Sequence, residues 1–286
     1  MKNIRVILSA ALITAVLGMA PPRAEATVFT LNDDNSTLQL DTASPAGVYN
    51  WFVDGVDHLY QQWFWYRLGA TGPERSIDTL GPPGQTFAAA FDTNPNPGND
   101  VATIRYEDTA RSMRVDITYS LQGGSPGSRS SDLGEQIRVT NLSSTASMDL
   151  HFFQYTDFDL GGTIFDDIGN MTSAYSVVQR DPLFVSSETV STPAPSRFEL
   201  NLFPNTLSSL QDGSPTTLNN NPSAGPGDVT WAFQWDASLA PRGVFQVSKN
   251  KRIGVPEPAT LFLFGTALIG AAGAARRRKK AQQTQI

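Results

Sequence analysis

Between Met113 and Leu121 the chain alternates strictly: Met113, Val115, Ile117, Tyr119 and Leu121 are apolar or aromatic, and Arg114, Asp116, Thr118 and Ser120 are polar. Successive side chains of an extended strand point to opposite faces, so this period of two predicts a strand with one buried face. The same period recurs at Val229, Trp231, Phe233 and Trp235, and at Phe198, Leu200 and Leu202. Further strands are expected near 27 to 31, 36 to 41, 47 to 53, 85 to 91, 99 to 106, 135 to 141, 146 to 158, 174 to 180, 183 to 190 and 243 to 249. Turn chemistry separates them, at Asp54-Gly55, Gly81 to Gly84, Asn94 to Gly98, Gly123 to Gly127, Asp212-Gly213 and Asn219 to Gly227. Residues 56 to 68 also fit a helical face, but Asp54-Gly55 favours a hairpin and hence a strand. No internal repeat is visible. Many short strands at this spacing predict an all-β fold, an antiparallel β-sandwich.

Such a fold needs a core, and residues 27 to 254 suffice for one domain. The chain has no cysteine, so burial and hydrogen bonds must hold it without disulfides, and thiolate metal sites are excluded. Between residues 27 and 258, 13 Lys and Arg face 26 Asp and Glu, a net of −13. That charge excludes nucleic acid and anionic lipid as partners of this region.

The two ends carry a different signal. Lys2 and Arg5 precede an uncharged run from Val6 to Ala20, and the small-residue site Ala24-Glu25-Ala26 follows. This order predicts a signal peptide over residues 1–26, handled by Sec-type export machinery and signal peptidase. At the other end Pro256-Glu257-Pro258 precedes an uncharged stretch from Ala259 to Ala275, and Arg276, Arg277, Arg278, Lys279 and Lys280 follow. As a helix, residues 259–275 would span roughly 26 Å, enough for a thin hydrocarbon core. Basic flanks stay cytoplasmic, so the five cations act as a stop and leave the preceding region outside. Each proline fixes its own φ and favours an extended residue before it, which makes Glu257 the centre of a stiff segment that a protease groove can bind.

Val255 to Lys280 resembles the PEP-CTERM sorting signal, in which a Pro-Glu-Pro motif, a hydrophobic helix and a basic cluster are processed by an exosortase, a multi-pass membrane protease. The resemblance implies an exopolysaccharide-producing host, a transient inner-membrane anchor with a cytoplasmic C-terminus, and delivery to the envelope, surface or extracellular matrix. The expected organisation is a signal peptide (1–26), a β-sandwich ectodomain (27–247), a polar linker (248–254) and a sorting tail (255–286) with its transmembrane helix at 259–275 and basic cluster at 276–280.

Few constellations carry chemistry. Gly123-Gly124-Ser125-Pro126-Gly127 matches G-x-S-x-G, but Pro126 has no N–H for an oxyanion and no helix follows, so a hairpin loop is expected. His58 and His151 lie in no metal pattern, and a structural or surface role is expected for each. Asp157, Asp159, Asp166 and Asp167 form the densest acidic cluster, and the intervening Gly161-Gly162 permits a turn that would gather hard oxygen ligands for Ca²⁺. Ile168 stands where an EF-hand loop would place its glutamate, so the competing reading is solvated turn acids. Seven aromatics fall between Trp51 and Tyr66, and on a strand Trp63 and Trp65 would face away from Phe64 and Tyr66. One face fills the core; the other is covered by a loop or forms a sugar-stacking platform of Trp63 and Trp65.

The expected function is that of an exported envelope or matrix protein, structural or adhesive and not an enzyme. It needs no cofactor, with Ca²⁺ as the candidate ion and exopolysaccharide as a candidate partner. A glycan-binding module is the alternative, and a carboxylate-dependent glycosidase a third reading.

Overall fold

The computed structural model describes residues 28–80 and 87–256. The expected signal peptide, Glu257 and Pro258 of the sorting motif, the 259–275 span and the basic cluster at 276–280 lie outside the described residues. Two nine-stranded sheets account for nearly all regular structure. The first contains Val28–Asp33 (β1), Ser36–Asp41 (β2), Gly47–Val53 (β3), Val56–Asp57 (β4), Leu59–Leu68 (β5), Arg75–Ser76 (β6), Met148–Phe158 (β11), Arg197–Leu202 (β15) and Val229–Leu239 (β17). Its order is β1-β2-β3-β5-β11-β17-β15, antiparallel except for a short parallel contact of β3 with β5. The second contains Phe87–Phe91 (β7), Val101–Asp108 (β8), Met113–Gly123 (β9), Ser131–Asn141 (β10), Asp167–Ser173 (β12), Ser176–Arg180 (β13), Val185–Thr192 (β14), Ser223–Gly227 (β16) and Val244–Gly254 (β18). Its order is β16-β12-β13-β14-β18-β10-β9-β8-β7, antiparallel throughout.

The sheets meet face to face. From the first sheet Gln154 Nε2 and Trp231 Nε1 donate to Glu188 of the second, at 3.0 and 2.8 Å, and Trp51 Nε1 donates to Ser131 Oγ at 3.1 Å. The alternation read at Met113 to Leu121 is the reason: all five odd-numbered side chains of β9 are buried in the shared core. Residues 56 to 68 form β4 and β5, the extended alternative. Three strands go beyond the sequence expectation: β6 is only two residues long, and β12 and β16, the latter within the stretch expected as a turn at Asn219 to Gly227, are rich in glycine and polar residues and lack alternation. One seven-residue helix, Asn205–Gln211 (α1), stands among the described residues besides two short 3-10 turns. None of the described helices is long and apolar enough to cross a membrane.

Residues 248 to 254 are not a linker. They are the second half of β18, which lies between β14 and β10 and joins the two halves of the second sheet. Lys249 sits opposite Glu135 in the register with β10, and Lys251 opposite Glu188 in the register with β14. All four side chains are fully buried. Lys249 Nζ lies 2.7 Å from Glu135 Oε2 and 3.2 Å from Glu188 Oε1; Lys251 pairs with Glu135 and stands 3.6 Å from Glu188 Oε1. The polar run looked like a linker because its charges are buried by mutual pairing, which no single segment reveals.

Ending the chain after Val247 should therefore abolish the cooperative fold, whereas ending it after Gly254 should leave a stable domain. Single replacement of Lys249 by Met should cost about 3–5 kcal/mol in urea denaturation, since it leaves a buried glutamate uncompensated. A chain ending at 247 with the stability of one ending at 254 would contradict this role of β18.

Candidate functional site

In the first sheet β5, β11, β17 and β15 are neighbours and each adjacent pair is antiparallel, so the start of β5, the end of β11, the start of β17 and the end of β15 meet at one edge. That edge gathers Tyr60, Asp157, Asp159, Asp228 and Phe203, with Ile164 from the following loop, around a recess of about 300 Å³. One oxygen of each of Asp157, Asp159 and Asp228 lies within 4.8 Å of the others. The register explains the meeting: Asp157 pairs with Gln61 on one side and Thr230 on the other, which brings the residues just beyond each strand end into the same corner. A register shift at Asp157/Phe158 bends the end of β11 there.

The electrostatics of the corner are one-sided. The Tyr155 hydroxyl donates to Asp157 Oδ2 at 3.1 Å, while Asp157 Oδ1 and Asp228 Oδ1 are buried without a donor from a third residue. Burial, followed by the Asp228 and Asp159 carboxylates, pushes Asp157 up to about 8. Burial, then Asp228 and Asp57, pushes Asp159 up to about 6, and burial also raises Asp228. At the rim the rings are open: Tyr60 is 57 % and Phe203 38 % exposed, and they meet edge to face with centroids 6.1 Å apart.

The sequence had pointed to a partly different set. Asp157 and Asp159 come together as expected, but with Asp228 rather than with Asp166 and Asp167. Asp167 is buried, pairs with Gln179 at 2.5 Å and begins β12; Asp166 accepts from the Thr163 hydroxyl at 3.0 Å. The turn at Gly161-Gly162, both at positive φ, does not return them to Asp157, because it docks on His58 instead: the Gly161 N–H donates to His58 Nδ1 at 3.0 Å. His58 is a core residue, edge-on to Phe184, and burial pushes it down to about 4. His151 sits on the outer side of β11, 2.6 Å from Asp236 Oδ1.

Trp63 and Trp65 form no platform. They are 0 % and 2 % exposed: Trp63 meets Tyr106 of β8 edge to face and Trp65 meets Tyr155 likewise, each with centroids 6.2 Å apart, and the segments around 74–80 and 216–218 are tied down beside them. Trp63 Nε1 donates to Ser76 Oγ at 2.9 Å, Arg67 pairs with buried Glu74 at 2.8 Å, Glu74 accepts from the Thr216 N–H, and the Leu218 N–H donates to Gln234. At this corner the exposed aromatics are Tyr60 and Phe203, which sequence reasoning missed; Phe87, Phe91, Phe165 and Tyr175 are exposed elsewhere among the described residues. Antiparallel pairing of 146–158 with the strand starting at Val229 would have flagged Asp228. Ser125 lies exposed in the β9–β10 hairpin, as expected of a loop.

The last described residues lead into the sorting motif: β18 ends at Gly254, and Val255 and Pro256 follow at the surface. The family model for the PEP-CTERM protein-sorting motif matches residues 254–279. The tail therefore marks export with surface or extracellular sorting, and recognition by an exosortase, a membrane protease. A search of curated proteins returns no match. Among solved structures, a bacterial glucoamylase complexed with acarbose aligns with a TM-score of 0.51 at 9 % identity, covering 82 % of this chain and 33 % of its own. The chain thus spans about a third of that protein's length. A GalM/aldose epimerase homologue from C. elegans aligns at 0.48 and 8 % identity over 81 % of this chain and 99 % of its own. The glucoamylase likeness is one of fold, and at this identity no residue carries across.

The charge state of the corner can be measured. With its pKa near 8 against the ordinary 3.8, Asp157 binds its proton more tightly in the folded chain. Its contribution is then unaffected below about pH 4 and turns unfavourable as pH rises from there to 8, where the unfolded state ionises first. In buffer containing chelator, Asp157→Asn should raise the melting midpoint by several degrees at pH 8 and by less at pH 5. An equal shift at both values would show that ionisation of Asp157 is not what the substitution relieves.

Proposed function

We propose that the chain is an exported envelope or extracellular-matrix protein, adhesive and non-catalytic, whose β-sandwich ectodomain holds a polysaccharide at the recess beside Tyr60 and Phe203. The observation that carries the reading is the pairing of two open aromatic rings with three carboxylates in one concave corner. A sugar ring offers an apolar C–H face to an aromatic side chain and hydroxyl donors to carboxylate oxygens, and this corner presents both. Within 4.8 Å of one another, the carboxylate oxygens lie closer than the about 6.5–9.5 Å of an inverting glycosidase and near the about 5–5.5 Å of a retaining one, so the non-catalytic reading rests on the absence of hydrolysis in the test below. Export would begin with signal-peptide cleavage after Ala26, and the tail would hold the chain in the inner membrane, C-terminus inside, until exosortase acts.

Two measurements test the reading. Binding of the host's purified exopolysaccharide to the immobilised protein should weaken about three- to tenfold with Tyr60→Ala or Phe203→Ala, the scale of one lost aromatic contact. Binding that is absent in the wild type, or unchanged in both variants, would sink the recess as a glycan site; release of reducing ends would sink the non-catalytic assignment. Intact-mass analysis of the surface form from an exosortase-competent host should begin at Thr27 and end near Pro258. Recovery of that form with Arg276 to Ile286 attached would leave a plain membrane anchor.

A further inference from the structure

We propose that Asp157, Asp159 and Asp228 form a Ca²⁺ site at the floor of this recess. The inference uses the same corner as the glycan reading but does not depend on sugar being bound. Three observations carry it. The first is distance: oxygens that share one Ca²⁺ at about 2.3–2.6 Å can be no more than about 5 Å apart, and one oxygen from each carboxylate meets that limit at 4.8 Å.

The second is the state of those oxygens. Asp157 is 1 % exposed and lines the recess, yet its Oδ1 and the buried Oδ1 of Asp228 have no donor from a third residue, and the two carboxyls face each other closely enough to interact as a hydrogen-bonded pair. Folded chains rarely leave such acceptors empty when a hydrogen-bond donor can reach them. The third is the charge around them. Among the described residues, the charged groups acting on Asp157 are Asp228 and Asp159, and those acting on Asp159 are Asp228 and Asp57, with no lysine or arginine among them. Three carboxylates set this close repel one another, and a cation between them removes that repulsion.

The donor set selects the ion. Three carboxylates with no imidazole or thiolate among them suit a hard cation rather than zinc or copper. The open recess leaves room for the waters or sugar hydroxyls that complete the six to eight oxygens Ca²⁺ takes. A sorted, exported protein meets Ca²⁺ at the concentrations where extracellular modules bind it, with dissociation constants of about 10⁻⁴–10⁻³ M.

Equilibrium dialysis of the full chain in detergent micelles against radiolabelled Ca²⁺, without polysaccharide, tests the site directly. One equivalent should bind with a dissociation constant in that range. Asp157→Asn and Asp228→Asn should each weaken it at least tenfold. Tyr60→Ala and Phe203→Ala should leave it unchanged. If Asp157→Asn fails to fold, Asp159→Asn, at a half-buried position, serves in its place. No saturable binding up to about 10 mM, above the range of such modules, would overturn the proposal, as would binding indifferent to all three aspartates. Ca²⁺ binding with no polysaccharide binding would keep the metal site and remove the glycan reading. Polysaccharide binding that persists in chelator, with no Ca²⁺ bound, would do the reverse.

Discussion

Four buried charges between the sheets set the terms for the rest of the molecule. Lys249, Lys251, Glu135 and Glu188 are shut away from water, and each lysine contacts both glutamates. Together they are neutral, which is the condition for their burial: any one alone would face a desolvation penalty of several kcal/mol. Lys249 also stands 5.4 Å from the Phe64 ring of the opposite sheet, and Glu188 accepts from Gln154 and Trp231 there. The charges of one sheet are thus satisfied partly by the other, so the sheets are specified face to face and in register. In a chain without disulfides this pairing does work that apolar packing alone leaves loose, because apolar side chains tolerate sliding and a charge pair does not.

The recess at the end of β11 is the opposite arrangement built from the same ingredients. Between the sheets two acids meet two bases and the charge closes on itself; at the corner three acids meet no base among the described residues. Against its burial, the Lys249 and Lys251 ammonium groups hold Glu188 below the usual carboxylate range, whereas Asp157 rises to about 8, although both are buried. Burial alone therefore does not decide the ionisation of a carboxyl in this protein; the neighbours do. The corner is also where the hydrogen-bonded ladder runs out, so its side chains are set by strand ends and a bulge and not by continuous pairing. A closed charge group stabilises a fold, and an open one at a ladder's end is poised for something from outside.

Sequence alone made most strands legible, because a sheet with one wet face prints its geometry as a period of two. It failed where burial and polarity part company. Lys249 and Lys251 alternate with Asn250 and Arg252 in the same phase as the core, yet they read as linker since their partners Glu135 and Glu188 are over 60 residues away. Trp63 and Trp65 posed the reverse problem: the pattern placed them opposite Phe64 and Tyr66, but only the fold shows the segments tied down beside them by Glu74 and Thr216. For the site, local crowding grouped Asp157 and Asp159, which the structure does bring together, with Asp166 and Asp167, which it does not: Asp167 begins β12 and Asp166 stands just before it. Asp228 was invisible to any local reading, since strand pairing rather than spacing brings it in.

The position of β18 links fold and sorting. It is the final strand, it lies between β14 and β10, and it carries both buried lysines, so the second sheet cannot close until the chain as far as Gly254 is available. Only Val255 separates that residue from Pro256, the first of the sorting motif. On the proposed topology the domain would then complete itself beside the membrane, with almost no slack between its central strand and the tail. Proteolysis near Pro258 would leave β18 whole, while cleavage a few residues before Gly254 would draw Lys251 out from between two glutamates. The prolines reinforce that boundary: Pro256 has no N–H to extend the ladder, and it keeps Val255 extended, so pairing stops where the recognised segment starts. A single short sequence thus ends the sheet and begins the signal.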